Sequence, residues 1–248
     1  MYSLKDTLFV YINLDERVDK NIHMINLLDS IGVNYIRFSA IKPTPQSLVY
    51  GEFKDFYDKS VPYLKQFDFD DTHYRKQFIL GTFGCYLSHF KILEKFASHG
   101  SIVVLEDDAS FNIQSLKKFF RVVSHLNKNH RFQMDLVRPL NISYLLHNYP
   151  IDGFSLDLIN NNNCFRFNSP HRFSKFSKFN KSNFYGMSHF VYYHNITNVL
   201  EYLKRELVYN IDACYSTNII NSIIVDSTIP QKREEFFSDI GKFKTTSF

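Results

Sequence analysis

Residues 81–112 read GTFGCYLSHFKILEKFASHGSIVVLEDDASFN, and the order of patterns in this stretch indicates the fold. Apolar side chains recur at helical spacing over residues 81–99, which predicts an amphipathic helix that ends at Gly100. Residues 102–105 then form a continuous apolar run, as expected of a strand that is covered on both faces. The strand is followed directly by three carboxylates, Glu106, Asp107 and Asp108.

These three acids have no basic neighbour in the sequence, since no Lys or Arg lies between His99 and Leu116. Two like charges about 4 Å apart repel by roughly 4 kcal/mol at an effective dielectric constant of about 20. Alternation along extended backbone places Glu106 and Asp108 on one side and Asp107 on the other. Paired carboxylates suit a hard cation, and open α/β sheets bind ligands at the carboxyl ends of their strands. A solvated acidic turn is the alternative interpretation.

The composition is that of a chain with a sizeable core: 248 residues, 44% hydrophobic and 17% aromatic. A formal charge of +4 allows an anionic partner such as a nucleotide, but is too small to indicate nucleic acid. Three widely spaced cysteines fit neither a disulfide framework nor a zinc motif, which favours a reducing compartment. With no secretory or membrane-spanning apolar run, we expect a cytoplasmic protein.

A strand–helix–strand unit is predicted near the start of the chain. Residues 8–14 are apolar and β-prone, an amphipathic helix follows over residues 22–31 and ends at Gly32, and residues 33–39 form a second strand. Such a unit makes a parallel crossover, and its ligand pocket lies at the carboxyl ends of the strands. The candidates for a nucleotide site at that edge are Asn13, Leu14, Arg17, Ser39 and Ala40. Ordinary loop polarity and strand capping are the alternative.

The second half of the chain has weaker patterns. Helices are predicted at residues 113–126 and 196–207. Residues 138–163 alternate apolar pairs with Pro, Asn and Gly and end in a low-complexity turn or loop at residues 160–163. Short strands are predicted at residues 134–137, 190–193 and 219–225.

Residues 165–184, FRFNSPHRFSKFSKFNKSNF, interleave phenylalanine with basic residues. Such a stretch suits a phosphorylated glycolipid or a peripheral contact with the inner face of the cytoplasmic membrane. An ordered loop with Phe in the core and Lys in water is the alternative. Single-stranded nucleic acid binds the same residue types, but no other part of the chain supports it, and we expect no nucleic-acid partner.

Three motifs in this order resemble glycosyltransferase family 25: FVYINLDERVDK at residues 9–20, RFSAI at residues 37–41, and GTFGCYLSHFKI with VVLEDD within residues 81–108. The family includes bacterial lipopolysaccharide and lipooligosaccharide galactosyltransferases and the procollagen galactosyltransferases. The resemblance implies an α/β, GT-A-like fold with a Rossmann-type, mixed and mainly parallel sheet flanked by helices. It also implies one domain over residues 1–248, in which residues 1–109 bind the nucleotide sugar and residues 110–248 the acceptor.

The resemblance further implies inverting transfer of a hexose from UDP-galactose, or from UDP-glucose as second choice, to an oligosaccharide or glycolipid acceptor of the lipooligosaccharide type. Glu106 and Asp108 would hold Mn²⁺ or Mg²⁺, which would stabilise charge on the leaving diphosphate. His189 would complete the metal site, with a structural histidine as the alternative. Asp107 would bind ribose or sugar hydroxyls.

Gly84, Ser88 and His89 belong to the family's most recognisable motif, on a helix expected to begin near the diphosphate, because helix N-termini bind anions. Ser88 and His89 are predicted off the apolar stripe, where they would face the ligand. Close packing at Gly84, a surface serine and a backbone-bonded histidine are the alternatives. Asp212 resembles an acidic position near the acceptor and would act as the catalytic base, with a helix N-cap as the alternative.

Two other functions are compatible with these motifs. One is a catalytically inactive glycan-binding or scaffold module of the same fold. The other is a phosphate–metal enzyme of another class, such as a nucleotidyltransferase or a phosphatase.

Overall fold

The computed structural model describes residues 4, 6–64, 72–128, 134–140, 155–160, 164–168, 189–206, 211 and 220–226. Within these residues the chain forms one eight-stranded sheet and six helices. The strands are β1 (Leu8–Asn13), β2 (Tyr35–Ser39), β3 (Ile102–Glu106), β4 (Leu136–Leu140), β5 (Ser155–Asn160), β6 (Cys164–Asn168), β7 (Phe190–Tyr193) and β8 (Ser222–Asp226). The helices are α1 (Val18–Ile31), α2 (Pro45–Val49), α3 (Lys54–Leu64), α4 (Thr72–Lys95), α5 (Ile113–Lys128) and α6 (Ile196–Glu206).

The strands follow the spatial order β2-β1-β3-β7-β4-β8-β6-β5. β1 pairs in parallel with β2 and β3, and β4 pairs in parallel with β8, whereas β6 and β7 run against their neighbours. Six of the eight described strands therefore share one direction, and the predicted α/β fold with a mixed, mainly parallel sheet is confirmed. The carboxyl ends of β1, β2 and β3 meet the start of β7 at one edge.

The central strands send alternate side chains into two apolar cores, as expected of strands covered on both faces. One core joins residues of β1 and β3 to α4 and α6; it includes Val10, Ile12, Ile102, Val104, Leu87, Phe90 and Val199. The other joins the same strands to α1 and α5; it includes Phe9, Tyr11, Val103, Leu105, Met24, Leu28 and Phe119. The same alternation places Glu106, the last residue of β3, on the α4 side of the sheet.

Helix α1 ends at the predicted glycine and begins earlier than predicted. Gly32 has a φ angle of 72°, in the left-handed region that glycine adopts without a steric penalty. Its backbone N–H donates to the carbonyl oxygens of Leu28 and Asp29, which closes the helix. The start at Val18 extends the helix by one turn into the charged segment that follows β1.

Helix α4 begins at Thr72, nine residues before Gly81, so the prediction that a helix begins at the glycine-containing motif is wrong. Gly84 lies inside the helix and does not mark a helix end. Its missing side chain allows the loop after β2 to approach the helix closely. The motif therefore does not offer the unpaired N–H groups of a helix N-terminus to an anion. The helix also ends at Lys95, five residues before Gly100.

Replacing Gly84 with alanine is expected to destabilise the fold by about 2 kcal/mol, because the added methyl group would overlap the loop after β2. A Cβ atom at residue 84 would lie 2.5 Å from the carbonyl oxygen of Ile41 and 3.1 Å from Cδ of Pro43. Gly100 is the matched control, since nothing lies within 4 Å of a Cβ atom placed there. Urea denaturation measures both alanine variants, and equal stabilities would show that the loop moves aside without cost.

A hairpin lies in a stretch for which the sequence predicted no strand. β5 and β6 pair antiparallel, with Leu156 opposite Phe167 and Leu158 opposite Phe165. Leucine and phenylalanine alternate with polar residues in both strands, and that alternation outweighs the loop-like composition around it. The rest of the Phe/Lys-rich stretch, residues 169–184, lies outside the described residues. No helix in the described part of the chain combines the length and apolar composition needed to cross a lipid bilayer.

Candidate active site

Glu106, Asp108 and His189 meet at the edge where β3 ends and β7 begins. β7 pairs antiparallel with β3, with Leu105 opposite Phe190, and the backbone N–H of Glu106 donates to the carbonyl oxygen of His189 at 3.1 Å. The buried His189 side chain places Nδ1 at 2.7 Å from Glu106 Oε2 and 3.1 Å from Asp108 Oδ1. The structure thus brings the three predicted metal ligands together, with ligand atoms within 4.8 Å of one another.

The donor set of this cluster fits a divalent cation. Two carboxylates supply the oxygen ligands that Mn²⁺ and Mg²⁺ prefer, and an imidazole nitrogen favours the transition-metal ion of the two. Burial alone would lower the pKa of His189, but the charges of Glu106 and Asp108 outweigh it and raise the pKa to about 9. The imidazolium thus compensates one of the two negative charges when no cation is bound, and a divalent cation would replace its proton.

Asp107 points away from Glu106 and Asp108, as strand alternation predicts. Its Oδ1 accepts a hydrogen bond from Lys20 Nζ at 2.9 Å and its Oδ2 accepts one from Asn13 Nδ2 at 2.9 Å. Burial raises the pKa of Asp107, while the Lys20 charge and the two hydrogen bonds act against that rise. Asp107 therefore anchors the acidic turn to α1, and its contact with a sugar hydroxyl stays a prediction.

The residues predicted for the nucleotide site lie together at the ends of β1 and β2. Asn13 stands opposite Ser39, and its carbonyl oxygen accepts from the N–H of Ala40 at 2.9 Å. Asn13 Nδ2 also donates to the carbonyl oxygen of Arg17 at 3.1 Å, which joins this edge to the start of α1. Leu14 is half-buried, and its carbonyl oxygen accepts from the N–H of Arg17 in the turn.

Arg37 and Asp15 belong to the same edge, and sequence reasoning missed them. Arg37 donates through Nε to Asn13 Oδ1 at 3.1 Å and through Nη2 to Asp15 at 2.5 Å, and Ser39 Oγ donates to the same Asp15 oxygen at 2.8 Å. The hydrogen bond from Arg37 holds the pKa of the Asp15 carboxyl below its usual value. The available signal was the alternation of β2, which places Arg37 on the same side of the strand as Ser39, the residue opposite Asn13.

Ser88 and His89 are fully buried, so the prediction that they lie off the core is wrong, while a contact of either residue with a ligand stays a prediction. Ser88 Oγ accepts from the N–H of Ile41 at 2.8 Å and donates to the carbonyl oxygen of Gly84 at 2.6 Å. His89 Nδ1 lies 2.8 Å from Tyr193 Oη. The sheet, the loop after β2 and α6 pack around α4 at these two positions and bury both side chains.

The two buried histidines predict a stability maximum near pH 6.5 in the absence of metal. Burial lowers the pKa of His89 to about 4, whereas the carboxylates raise that of His189 to about 9. Between pH 4 and 6.5 only the unfolded chain protonates His89, so the free energy of unfolding falls with falling pH by about 1.4 kcal/mol per unit. Between pH 6.5 and 9 only the folded chain keeps the His189 proton, so stability falls with rising pH.

Urea denaturation between pH 5 and 9, in the presence of a chelator, measures the loss of stability on the acidic and on the alkaline side of the maximum. The variant His189→Gln should lose the alkaline decline and keep the acidic one. An unchanged loss of stability between pH 6.5 and 9 in this variant would show that His189 does not cause it.

Asp212, the predicted catalytic base, lies outside the described residues. The neighbouring Ile211 is described and is buried against the α4 core. The role of Asp212 stays a prediction from the resemblance.

Comparison with known proteins identifies the family of the chain. Residues 6–215 match the family described as "Glycosyltransferase family 25 (LPS biosynthesis protein)". The chain is 29% identical over 112 residues to a "Glycosyltransferase 25 family member" of Anopheles gambiae, an alignment that covers 44% of this chain and 17% of the relative. It is 29% identical over 102 residues to a protein of the same name from Aedes aegypti, which covers 40% of this chain and 16% of that relative. The aligned stretch thus spans about a sixth of the length of these two relatives. This chain belongs to glycosyltransferase family 25.

Proposed function

We propose that the chain is an inverting glycosyltransferase that transfers a hexose, galactose as first choice, from a UDP-sugar to a lipooligosaccharide or lipopolysaccharide acceptor. The observation that carries the proposal is the cluster of Glu106, Asp108 and His189 at the carboxyl edge of the sheet, beside the polar ends of β1 and β2. The family description names lipopolysaccharide biosynthesis, which favours this class of acceptor. The names of the two insect relatives specify neither sugar nor acceptor.

Glu106, Asp108 and His189 would hold Mn²⁺ or Mg²⁺, and the bound cation would stabilise negative charge on the departing diphosphate. Before the cation binds, the His189 Nδ1–H group contacts both Glu106 and Asp108, so one imidazolium holds the two carboxylates in position. Lys20 and Asn13 fix the turn from the opposite side through Asp107. The site is therefore preorganised, and little conformational entropy is lost when a cation and diphosphate bind.

The edge formed by the ends of β1 and β2 would bind the nucleoside. Its polar groups include the exposed Ser39 hydroxyl and the Asp15 carboxylate, which has a lowered pKa and stays ionised as a hydrogen-bond acceptor at neutral pH. A ribose or uracil offers donors that match such acceptors. Arg37 bridges Asp15 and Asn13 and so links this edge to the acidic turn.

Release of UDP tests the proposal directly. The purified chain is mixed with UDP-galactose or UDP-glucose, Mn²⁺ or Mg²⁺, and truncated lipooligosaccharide acceptors. We expect acceptor-dependent release that requires the cation and is fastest with UDP-galactose, with the product linkage of inverted anomeric configuration by NMR. A product that retains the donor configuration would contradict the inverting mechanism.

A thermal-shift measurement separates the competing functions. Ligands that bind only the folded chain raise its melting temperature. Stabilisation by UDP with Mn²⁺, without turnover of any UDP-sugar, would favour the inactive glycan-binding module. Stabilisation by other nucleotides or phosphates alone would favour a different phosphate–metal enzyme.

The variant Asp212→Asn is expected to lower kcat about 100-fold or more and to change the KM for the donor little, because general-base catalysis contributes at least that factor. Asparagine is as good a helix N-cap as aspartate, so this substitution removes the base and keeps the capping function. Steady-state kinetics measures the two parameters separately. A kcat close to that of the wild type, or an effect on KM alone, would exclude Asp212 as the base.

A further inference from the structure

A second group of metal-ligating side chains lies on the α4 side of Glu106. Cys85 and His89 are four residues apart on α4 and therefore share one helix face. Their ligand atoms and a carboxylate oxygen of Glu106 lie within 4.8 Å of one another. The proposed transferase chemistry uses neither Cys85 nor His89.

The geometry of this group matches a zinc ion. Two ligand atoms at about 2.0–2.3 Å from a tetrahedral zinc ion are roughly 3.5 Å apart. Cys85 Sγ lies 3.4 Å from Glu106 Oε1, close to that separation. Metal-binding histidines commonly form a hydrogen bond through the second ring nitrogen, and the contact of 2.8 Å between His89 Nδ1 and Tyr193 Oη has that form for binding through Nε2.

The two oxygens of Glu106 face different clusters. Oε2 lies 2.7 Å from His189 in the cluster described above, whereas Oε1 faces Cys85. The ligand chemistry also differs, because a thiolate selects zinc and other soft cations, while carboxylates suit manganese and magnesium. Glu106 is thus placed to bridge two cations that prefer different ligand atoms.

We propose that Cys85, His89 and Glu106 form a zinc site that shares Glu106 with the Glu106–Asp108–His189 cluster. Three protein ligands leave one position of a tetrahedral ion for water or another small ligand. The proposal goes beyond the transferase function, and its tests need no nucleotide and no acceptor. Failure of these tests would leave the proposed transferase activity untouched.

The first test uses Co²⁺ as a spectroscopic substitute for zinc in the variant Cys164→Ser/Cys214→Ser, in which Cys85 is the remaining cysteine. We expect a thiolate-to-cobalt charge-transfer band, its loss in the further variant Cys85→Ser, and its displacement by Zn²⁺. Asp108→Asn should keep the band, because Asp108 belongs to the other cluster alone. Absence of the band in the double variant, or its loss in Asp108→Asn, would overturn the proposal.

The second test uses the unmodified chain and so does not depend on how the variants fold. The protein is alkylated with iodoacetamide with and without Zn²⁺, and mass spectrometry measures the modification of each cysteine. We expect Zn²⁺ to slow alkylation of Cys85 at least about tenfold, since a thiolate bound to metal is a poor nucleophile, and to protect Cys164 and Cys214 much less. Equal rates at Cys85 with and without Zn²⁺ would overturn the proposal.

Discussion

Replacing Asp108 with asparagine is expected to lower metal-dependent sugar transfer at least about 100-fold while leaving the fold intact. Loss of a hydrogen-bonding partner outside the ligand shell typically lowers metal affinity or activity 10- to 100-fold, so loss of a charged ligand should have at least the larger effect. Asparagine has nearly the same shape, but its neutral oxygen is a weaker ligand for a hard cation.

The fold should tolerate this change because the cation-free site loses a charge it does not need for stability. His189 keeps its contact of 2.7 Å with Glu106, and the repulsion between Glu106 and the carboxylate of Asp108 disappears. We therefore expect a free energy of unfolding within about 1 kcal/mol of the wild type at pH 7.

Initial rates of UDP release across a Mn²⁺ titration, together with urea denaturation, measure both outcomes. High Mn²⁺ concentrations should recover part of the rate if the defect is in metal affinity. The matched control is Asp29→Asn, because Asp29 lies in the last turn of α1, at the opposite edge of the sheet, where its carboxylate accepts a hydrogen bond from Tyr35. Full activity of Asp108→Asn would show that the metal assignment is wrong.

The parts of the fold that depend on local sequence were predictable. The apolar run of β3, the unit from β1 to β2 and the end of α1 at Gly32 each follow from periodicity or from glycine within a few residues. The direction of the acidic side chains also followed from strand alternation alone. Each of these features depends on residues that are close together in the sequence, within one or two helical turns or one strand. Distant parts of the chain do not alter it.

The burial of Ser88 and His89 could not be predicted in this way. The apolar stripe of a helix indicates its buried face only when the opposite face meets water. Other elements pack against α4 around Ser88 and His89, so these two residues are buried and hydrogen-bonded, whereas Lys91 and Glu94 on the same helix are exposed. The periodicity that assigned Ser88 and His89 to a face off the core therefore did not apply.

The partner of Asp107 was equally inaccessible to sequence reasoning. Lys20 lies 87 residues away in the chain, within a run of charged residues typical of an exposed helix. The available hint was indirect: three adjacent acids without a local cation require one from elsewhere. Which lysine or arginine supplies it depends on the packing of α1 against the sheet.

Replacing Lys20 with methionine is expected to destabilise the fold by about 3–5 kcal/mol, because it removes one partner of a buried ion pair. The Lys20 side chain is 3% exposed, and its Nζ lies 2.9 Å from Asp107 Oδ1. Methionine preserves the apolar stem of the side chain, so packing should change little. The destabilisation then comes from the carboxylate of Asp107, which would stay buried without its cation.

The pH dependence of this variant distinguishes the loss of charge from a packing defect. Burial already raises the pKa of Asp107 against the opposing effect of Lys20, so removal of Lys20 should raise it further. In the variant, the folded chain then binds a proton at a pH where the unfolded chain has released it, so stability increases as pH falls. Urea denaturation at pH 5 and pH 8 should give the smaller difference from wild type at pH 5. A difference independent of pH would indicate a packing defect.

A double-mutant cycle completes the argument, because neutralising both partners removes the uncompensated charge. The variant Lys20→Met/Asp107→Asn should recover at least about 2 kcal/mol relative to the sum of the two single changes. Asparagine at residue 107 can still accept the hydrogen bond from Asn13, so the acidic turn should keep its position, and the Mn²⁺ affinity of the double variant should exceed that of Lys20→Met. Additive losses, or equal Mn²⁺ affinities, would mean that the ion pair does not position the turn.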